Sequence, residues 1–223
     1  MSVRARKPEA KAARREAILA VAAGALRRRE YAQLTMAELA EACGLAKGTL
    51  YLYFGTKEEL FLATLERELA QWFDDLGSEL LRGDRHSARS FATTVAHSLA
   101  ARPTLVELLP LLHTVLEHNL GEATALGFKR MLRDKLLAGG RLVETVLQLR
   151  EGDGARLLLR AHALVVGLRQ LADPPPQIRG LLERDELSLL RVDFEHELAE
   201  SLAAMVAGMT RHLRAAPSAS DRT

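Results

Sequence analysis

A single cysteine, Cys43, in 223 residues excludes an internal disulfide and any paired-cysteine metal or redox centre. Aromatic residues are only 4% of the chain, and no segment reads as a strand of convincing length. No uninterrupted apolar run reaches the roughly 20 residues of a membrane span. The basic start, with Arg4, Arg6 and Lys7, lacks the apolar stretch of a secretory leader, so a cytoplasmic protein is expected. The histidines form no metal pattern: His113 and His118 lie about 140° apart around a helix, and Glu195-His196 are adjacent where a bundle metal site uses Glu-x-x-His. Phosphate loops and nucleophile elbows are also missing. The expectation is a protein with no metal and no cofactor that is not an enzyme.

What is abundant is Leu, Ala, Arg and Glu, with hydrophobic residues at 48%, a mixture that favours helices and is ample for a core. The net charge of +2 hides a division. Residues 1–57 hold eleven Lys or Arg against five acids, and the remainder holds twenty against twenty-four. A basic module joined to a mildly acidic partner is the footprint of nucleic-acid binding.

The basic end contains TMAELAEACGLAKGTLYLYFGTK, residues 35–57. Thr35 and Glu38 have capping-box spacing, Leu34 and Leu39 that of a hydrophobic staple, and Met36, Leu39, Ala40 and Cys43 share one helical side. Helix two is therefore placed at 35–43. Gly44 supplies a left-handed turn. A second short helix is placed at 46–54, closed by Gly55 before Thr56 and Glu59 repeat the capping pattern. With the preceding helix, Glu9 to Arg29, this makes a three-helix, helix-turn-helix domain over 1–56. Arg27, Arg28 and Arg29 are read as structural, since cations favour a helix C-terminus.

At about 100° per residue, Leu50 and Phe54 form the buried side of the second short helix, and Gly48 and Leu52 lie opposite. Gly48 permits close backbone approach, Lys47 and Thr49 can donate to phosphate or base edges, and Leu52 suits a thymine methyl. Tyr51 and Tyr53 add hydroxyls on rigid rings. An ordinary surface helix is the alternative, but an exposed leucine between two tyrosines suits it poorly.

Thr35, Leu39-Ala40, Gly44, Lys47-Gly48-Thr49-Leu50-Tyr51, Tyr53-Phe54 and Lys57 together resemble the DNA-binding domain of the tetracycline-repressor (TetR) family. The resemblance implies that Thr35, Lys47, Thr49, Tyr51, Tyr53 and Lys57 contact DNA backbone or bases. Two positions depart from the commonest pattern: Ala46 stands where a hydroxyl often caps the recognition helix, and Tyr53 where histidine is frequent.

Residues 57–214 read as a helical bundle, giving an all-α chain, with 215–223 a frayed tail. The helix from Thr56 runs through Trp72 to Gly77, Gly83-Asp84 break the chain, and Thr104 is placed as the cap of a helix containing Pro110. Gly139-Gly140 is a weak point in a long segment, 121–149. Two further segments, 155–171 and 187–213, form a hairpin. Leu158, Val165 and Leu168 on the first, with Phe194, Leu198, Leu202, Met205 and Met209 on the second, are candidates for a four-helix homodimer interface; an intrachain core is the alternative. The resemblance implies an effector cavity in this domain. Its candidates are Trp72, Phe91, His113, Thr114, Phe128 and Met131, for a small apolar or amphipathic molecule. The functional expectation is a dimeric repressor on a palindromic DNA operator, released by that effector. A regulator whose second domain only dimerises or binds a protein is the alternative, and a helical-bundle enzyme a remoter one.

Overall fold

The computed structural model describes residues 6–82 and 86–215. Its helices are α1 (Arg6–Leu26), α2 (Met36–Ala42), α3 (Lys47–Tyr51), α4 (Lys57–Leu80), α5 (Ala88–Ala100), α6 (Pro103–Leu111), α7 (Glu122–Leu147), α8 (Asp153–Ala172), α9 (Pro176–Leu182) and α10 (Phe194–Ala215). No strand occurs among the described residues, and the chain is all-α as expected. Arg4, the Gly83-Asp84 break and the tail from 216 onward lie outside the described residues.

The chain divides into two compact units, Met1–Leu69 with Pro103–Phe128, and Ala70–Arg102 with Lys129–Thr223. In the first, α1 buries Ile18, Leu19 and Ala22, while Leu39, Leu50, Leu60, Phe61, Leu65 and Leu105 supply core from α2, α3, α4 and α6. Apolar positions three and four apart on each helix account for this arrangement. The end of α1 is tied to α6 by Arg27, whose Nη1 donates to Thr104 Oγ1 at 3.3 Å. Thr104 is thus a buried acceptor rather than the expected helix cap; Pro103 opens α6 instead. Pro110 lacks the amide an α-helix needs, and the chain passes at Leu112–Leu116 into a π-helical turn.

In the second unit α5 packs along α10, burying Phe91, Val95 and Leu99 on the first and Leu198, Leu202 and Val206 on the second. Gly139-Gly140 is not a weak point, because α7 runs unbroken through it. A Cβ on Gly140 would stand 2.5 Å from the Ala155 amide nitrogen, and one on Gly154 would stand 2.0 Å from the Gly140 carbonyl oxygen. These glycines let the backbones of α7 and α8 touch. The last helix begins at Phe194 rather than Leu187, because Asp193 Oδ1 accepts from the His196 amide at 2.8 Å and sets the start.

Candidate nucleic-acid interface

The turn that presents α3 is built from local chemistry. Thr35 Oγ1 accepts from the Glu38 amide at 3.3 Å, and Glu38 Oε2 accepts from the Thr35 amide at 3.0 Å, which completes the expected capping box. Leu34 and Leu39 are both buried, as a staple requires. Gly44 has φ +65, the left-handed conformation in which a side chain is strained. Ala46 lies in the extended region at the start of α3 and, with only a methyl group, gives the helix no side-chain cap.

Helix α3 itself spans Lys47–Tyr51, shorter than 46–54. Beyond Tyr51 the amides of Leu52 and Tyr53 reach back three residues, to Thr49 and Leu50, and the tightened turn ends the regular helix. Leu50 and Phe54 are buried beneath it. Leu52 is 80% exposed and Tyr51 43% exposed. Lys47 and Gly48 are exposed beside them, with Thr49 and Tyr53 half-buried at the margins. A Cβ on Gly48 would meet nothing within 4 Å, so the backbone there is open to close approach. Lys47 Nζ lies 5.9 Å from the Tyr51 ring centre, and the Arg15 guanidinium stacks 5.3 Å from that of Phe54.

Two predicted contact residues are already engaged within the chain. The Thr35 hydroxyl donates its proton to Glu38 Oε2 at 2.7 Å. Lys57 Nζ donates to the carbonyls of Leu34 and Tyr31 at 3.0 and 3.1 Å and stands 4.0 Å from the centre of the Tyr31 ring.

Sequence patterning missed the residues that hold these groups. Arg29 Nη1 bonds Glu38 Oε1 at 2.8 Å while Nη2 donates to the Gln33 carbonyl at 2.9 Å. Arg29, and the Thr35 bonds after it, lower the Glu38 pKa to about 2. Tyr31 donates to Glu58 Oε1 at 3.0 Å and packs edge-on against Phe61. Burial, reinforced by that bond, raises the Tyr31 pKa. With Arg27 bonded to Thr104 and Arg29 to Glu38, those two arginines take the structural role expected of their cluster. At the start of α4, the Glu59 amide donates to Thr56 Oγ1 at 3.0 Å, but Glu59 Oε2 accepts from Gly55, one residue short of a full capping box.

Residues 18–64 match the model of bacterial regulatory proteins of the tetR family. Residues 66–212 match that of the tetracyclin repressor-like C-terminal domain. The chain belongs to the TetR family. Three solved TetR-like structures show the same fold. The fatty acid degradation regulator FadR from Bacillus halodurans is 18% identical, with TM-score 0.52 over 84% of this chain and 97% of that one. FadR from Bacillus subtilis, solved with stearoyl-CoA, is 16% identical, with TM-score 0.51 over 85% and 97%. The repressor AlkX from Dietzia sp., implicated in biodegradation of n-alkanes, is 18% identical, with TM-score 0.51 over 87% and 97%. Compared directly as sequences, no curated protein matches.

The remaining candidates in this TetR-family chain are placed less uniformly. Trp72, Phe91 and Met131 fall in the second unit and His113, Thr114 and Phe128 in the first. Trp72, Phe91 and Phe128 are buried; Trp72 Nε1 donates to Ser98 Oγ at 3.0 Å. His113 and Thr114 are exposed, and the Thr114 hydroxyl donates to the Pro110 carbonyl at 3.1 Å. Among the dimer candidates, Leu158, Val165, Leu198 and Leu202 are buried inside the single chain and so have no surface left to offer a partner. Leu168, Phe194, Met205 and Met209 remain partly open.

Proposed function

We propose that this TetR-family regulator is a sequence-specific repressor that binds a palindromic DNA operator as a homodimer and is released by a small apolar or amphipathic effector. The observation that carries the reading is the exposed flank of α3, where Leu52 is 80% exposed opposite buried Leu50. An apolar side chain so presented between Tyr51 and Tyr53 suits a major-groove edge with its thymine methyl. Lys47, Thr49 and Lys57 supply donors to the flanking phosphates.

Two such modules related by a twofold axis read half-sites roughly 34 to 36 Å apart, or a multiple of that. The effector lowers DNA affinity by the same factor that DNA lowers effector affinity, roughly 5- to 150-fold for a coupling of about 1 to 3 kcal/mol. FadR from Bacillus subtilis was solved with stearoyl-CoA, which supports an acyl-chain effector class here. A cytoplasmic site of action follows from the DNA partner.

Selection from a random duplex library with purified full-length protein tests the reading. An enriched inverted repeat is the expected result. Enrichment of no sequence at moderate ionic strength overturns it. Adding long-chain acyl-CoA to the selected complex then separates effector control, seen as release, from a regulator whose second domain only dimerises or binds a protein.

A further inference from the structure

Helix α1 runs well past the core it serves. Residues 8–17 are all exposed except the half-buried Arg15, and Ile18 is the first buried side chain after them. The charges on this exposed part are sorted by side. At about 100° per residue, Arg14 and Arg15 lie within about 60° of Lys11, whereas Glu9 and Glu16 lie about 160° and 140° away. The basic side is also the one that turns inward later in the helix: Ile18 and Ala22, both buried, fall within about 20° of the Lys11 line.

Two contacts place that side beside the recognition turn. Just past the end of α1, Arg27 is bonded to Thr104 of α6. About 18 Å earlier along the helix, the Arg15 guanidinium rests 5.3 Å from the ring of Phe54, in the turn that closes α3. The part that carries Lys11 and Arg14 therefore projects beyond that turn, at the end of α1 away from α6. Arg15 is engaged within the chain, pairing with Glu16 at 3.8 Å and acting electrostatically on Glu66 of α4. Lys11 and Arg14 have no hydrogen-bond or ion-pair partner among the described residues. A stretch of helix that packs on nothing is marginal in water, and a polyanion laid along it supplies the contact it lacks.

We infer that Lys11 and Arg14 bind phosphates of the same duplex that α3 reads, outside the base pairs in its major groove, on the side of α1 that Arg15 anchors beside the recognition turn. This rests on the DNA-binding reading above and deepens it. DNA is the occupant for two reasons. The cationic side adjoins the turn that ends α3, so a duplex seated on α3 is the surface nearest to hand. Unpaired Lys and Arg on one helical side, with the acids turned to the other, also suit the unbroken negative charge of a duplex backbone. Contacts of this kind carry no base information; they add affinity, salt dependence and length to the footprint.

The test uses full-length protein with Lys11→Gln and Arg14→Gln together, titrated against the inverted repeat enriched from the random library. The repeat is presented once within a longer duplex and once trimmed to its own ends. On the longer duplex the log–log salt slope should flatten by about 1.8, or about 0.9 for each charge removed, with base preference unchanged. On the trimmed duplex variant and wild type should converge. Arg130→Gln with Arg141→Gln, two exposed positions on α7 in the second unit, removes the same charge elsewhere and is the control for net charge. Thermal unfolding followed by circular dichroism should match wild type, since neither Lys11 nor Arg14 holds another part of the chain. An unchanged slope, or an equal flattening in the α7 control, overturns the phosphate contacts and leaves α3 as the reader. A wild-type chain that prefers no duplex removes the DNA reading itself.

Discussion

The ammonium of Lys57 sits 4.0 Å from the centre of the Tyr31 ring and donates at 3.1 Å to the carbonyl of that same residue. With its second bond, to Leu34, it fastens the start of α4 to the turn that leads into α2. A residue that the family motif casts as a DNA contact therefore also holds the scaffold beneath the recognition helix.

Lys57→Ala should accordingly show two separable effects. Loss of charged hydrogen bonds and the ring contact should lower unfolding free energy by about 2 kcal/mol, read by urea denaturation. If the ammonium also meets a phosphate, the salt dependence of DNA affinity should flatten by about 0.9 in log–log slope, equally for all duplexes. A loss restricted to particular base sequences would contradict a backbone role.

The α7–α8 crossing gives a steric prediction. Gly154→Ala places a methyl group 2.0 Å from the Gly140 carbonyl oxygen, and two backbones must separate to admit it. A destabilisation of about 3 kcal/mol or more is expected, at the upper end of overpacking effects. Gly127→Ala is the control: it lies within α7 with nothing within 4 Å of a new Cβ. Helix propensity alone should stabilise there by up to about 1 kcal/mol. Equal thermal shifts for the two would refute the close crossing.

Glu38 sets an acid limit on the turn before the recognition helix. Its folded pKa, about 2, lies below the ordinary 4.5. The stabilisation it contributes is therefore complete above the ordinary value and fades as pH falls from there towards 2. Carbonyl-carbon NMR should find Glu38 still ionised at pH 3.5, and Arg29→Ala should move its midpoint up towards the ordinary value. A Glu38 midpoint that ignores Arg29 would dissolve the proposed cause.

How much of this could be read in the sequence depended on distance along the chain. The Thr35–Glu38 box and the Gly44 turn were legible because cap and turn chemistry acts over three or four residues. The open flank of α3 was legible because Leu50 and Phe54 fix its rotation. Periodicity, however, states that a face is covered without saying what covers it. The stripe through Leu198 and Leu202 was read as a candidate dimer seam, with an intrachain core as the alternative, and it belongs to the core against α5. Arg29 with Glu38 and Gly140 with Gly154 are meetings between elements, and no local pattern encodes them. Pro110 announced an interruption, but not that a π-helical turn would absorb it.

Leu52 offers the sharpest separation of recognition from folding. It touches little of its own chain, being 80% exposed, so Leu52→Ser should change stability by no more than about 0.5 kcal/mol. Leu50→Ala, two residues away and fully buried, should cost about 2 to 5 kcal/mol through transfer and cavity terms. If Leu52 meets a thymine methyl, its serine variant should lose preference for thymine at one position of each half-site in library selection, while other positions keep theirs. An unchanged selected sequence would take Leu52 out of base reading and leave recognition to Lys47, Thr49 and the two tyrosines. Loss of binding at every position alike, with folding intact, would instead assign the leucine to general docking of α3 in the groove.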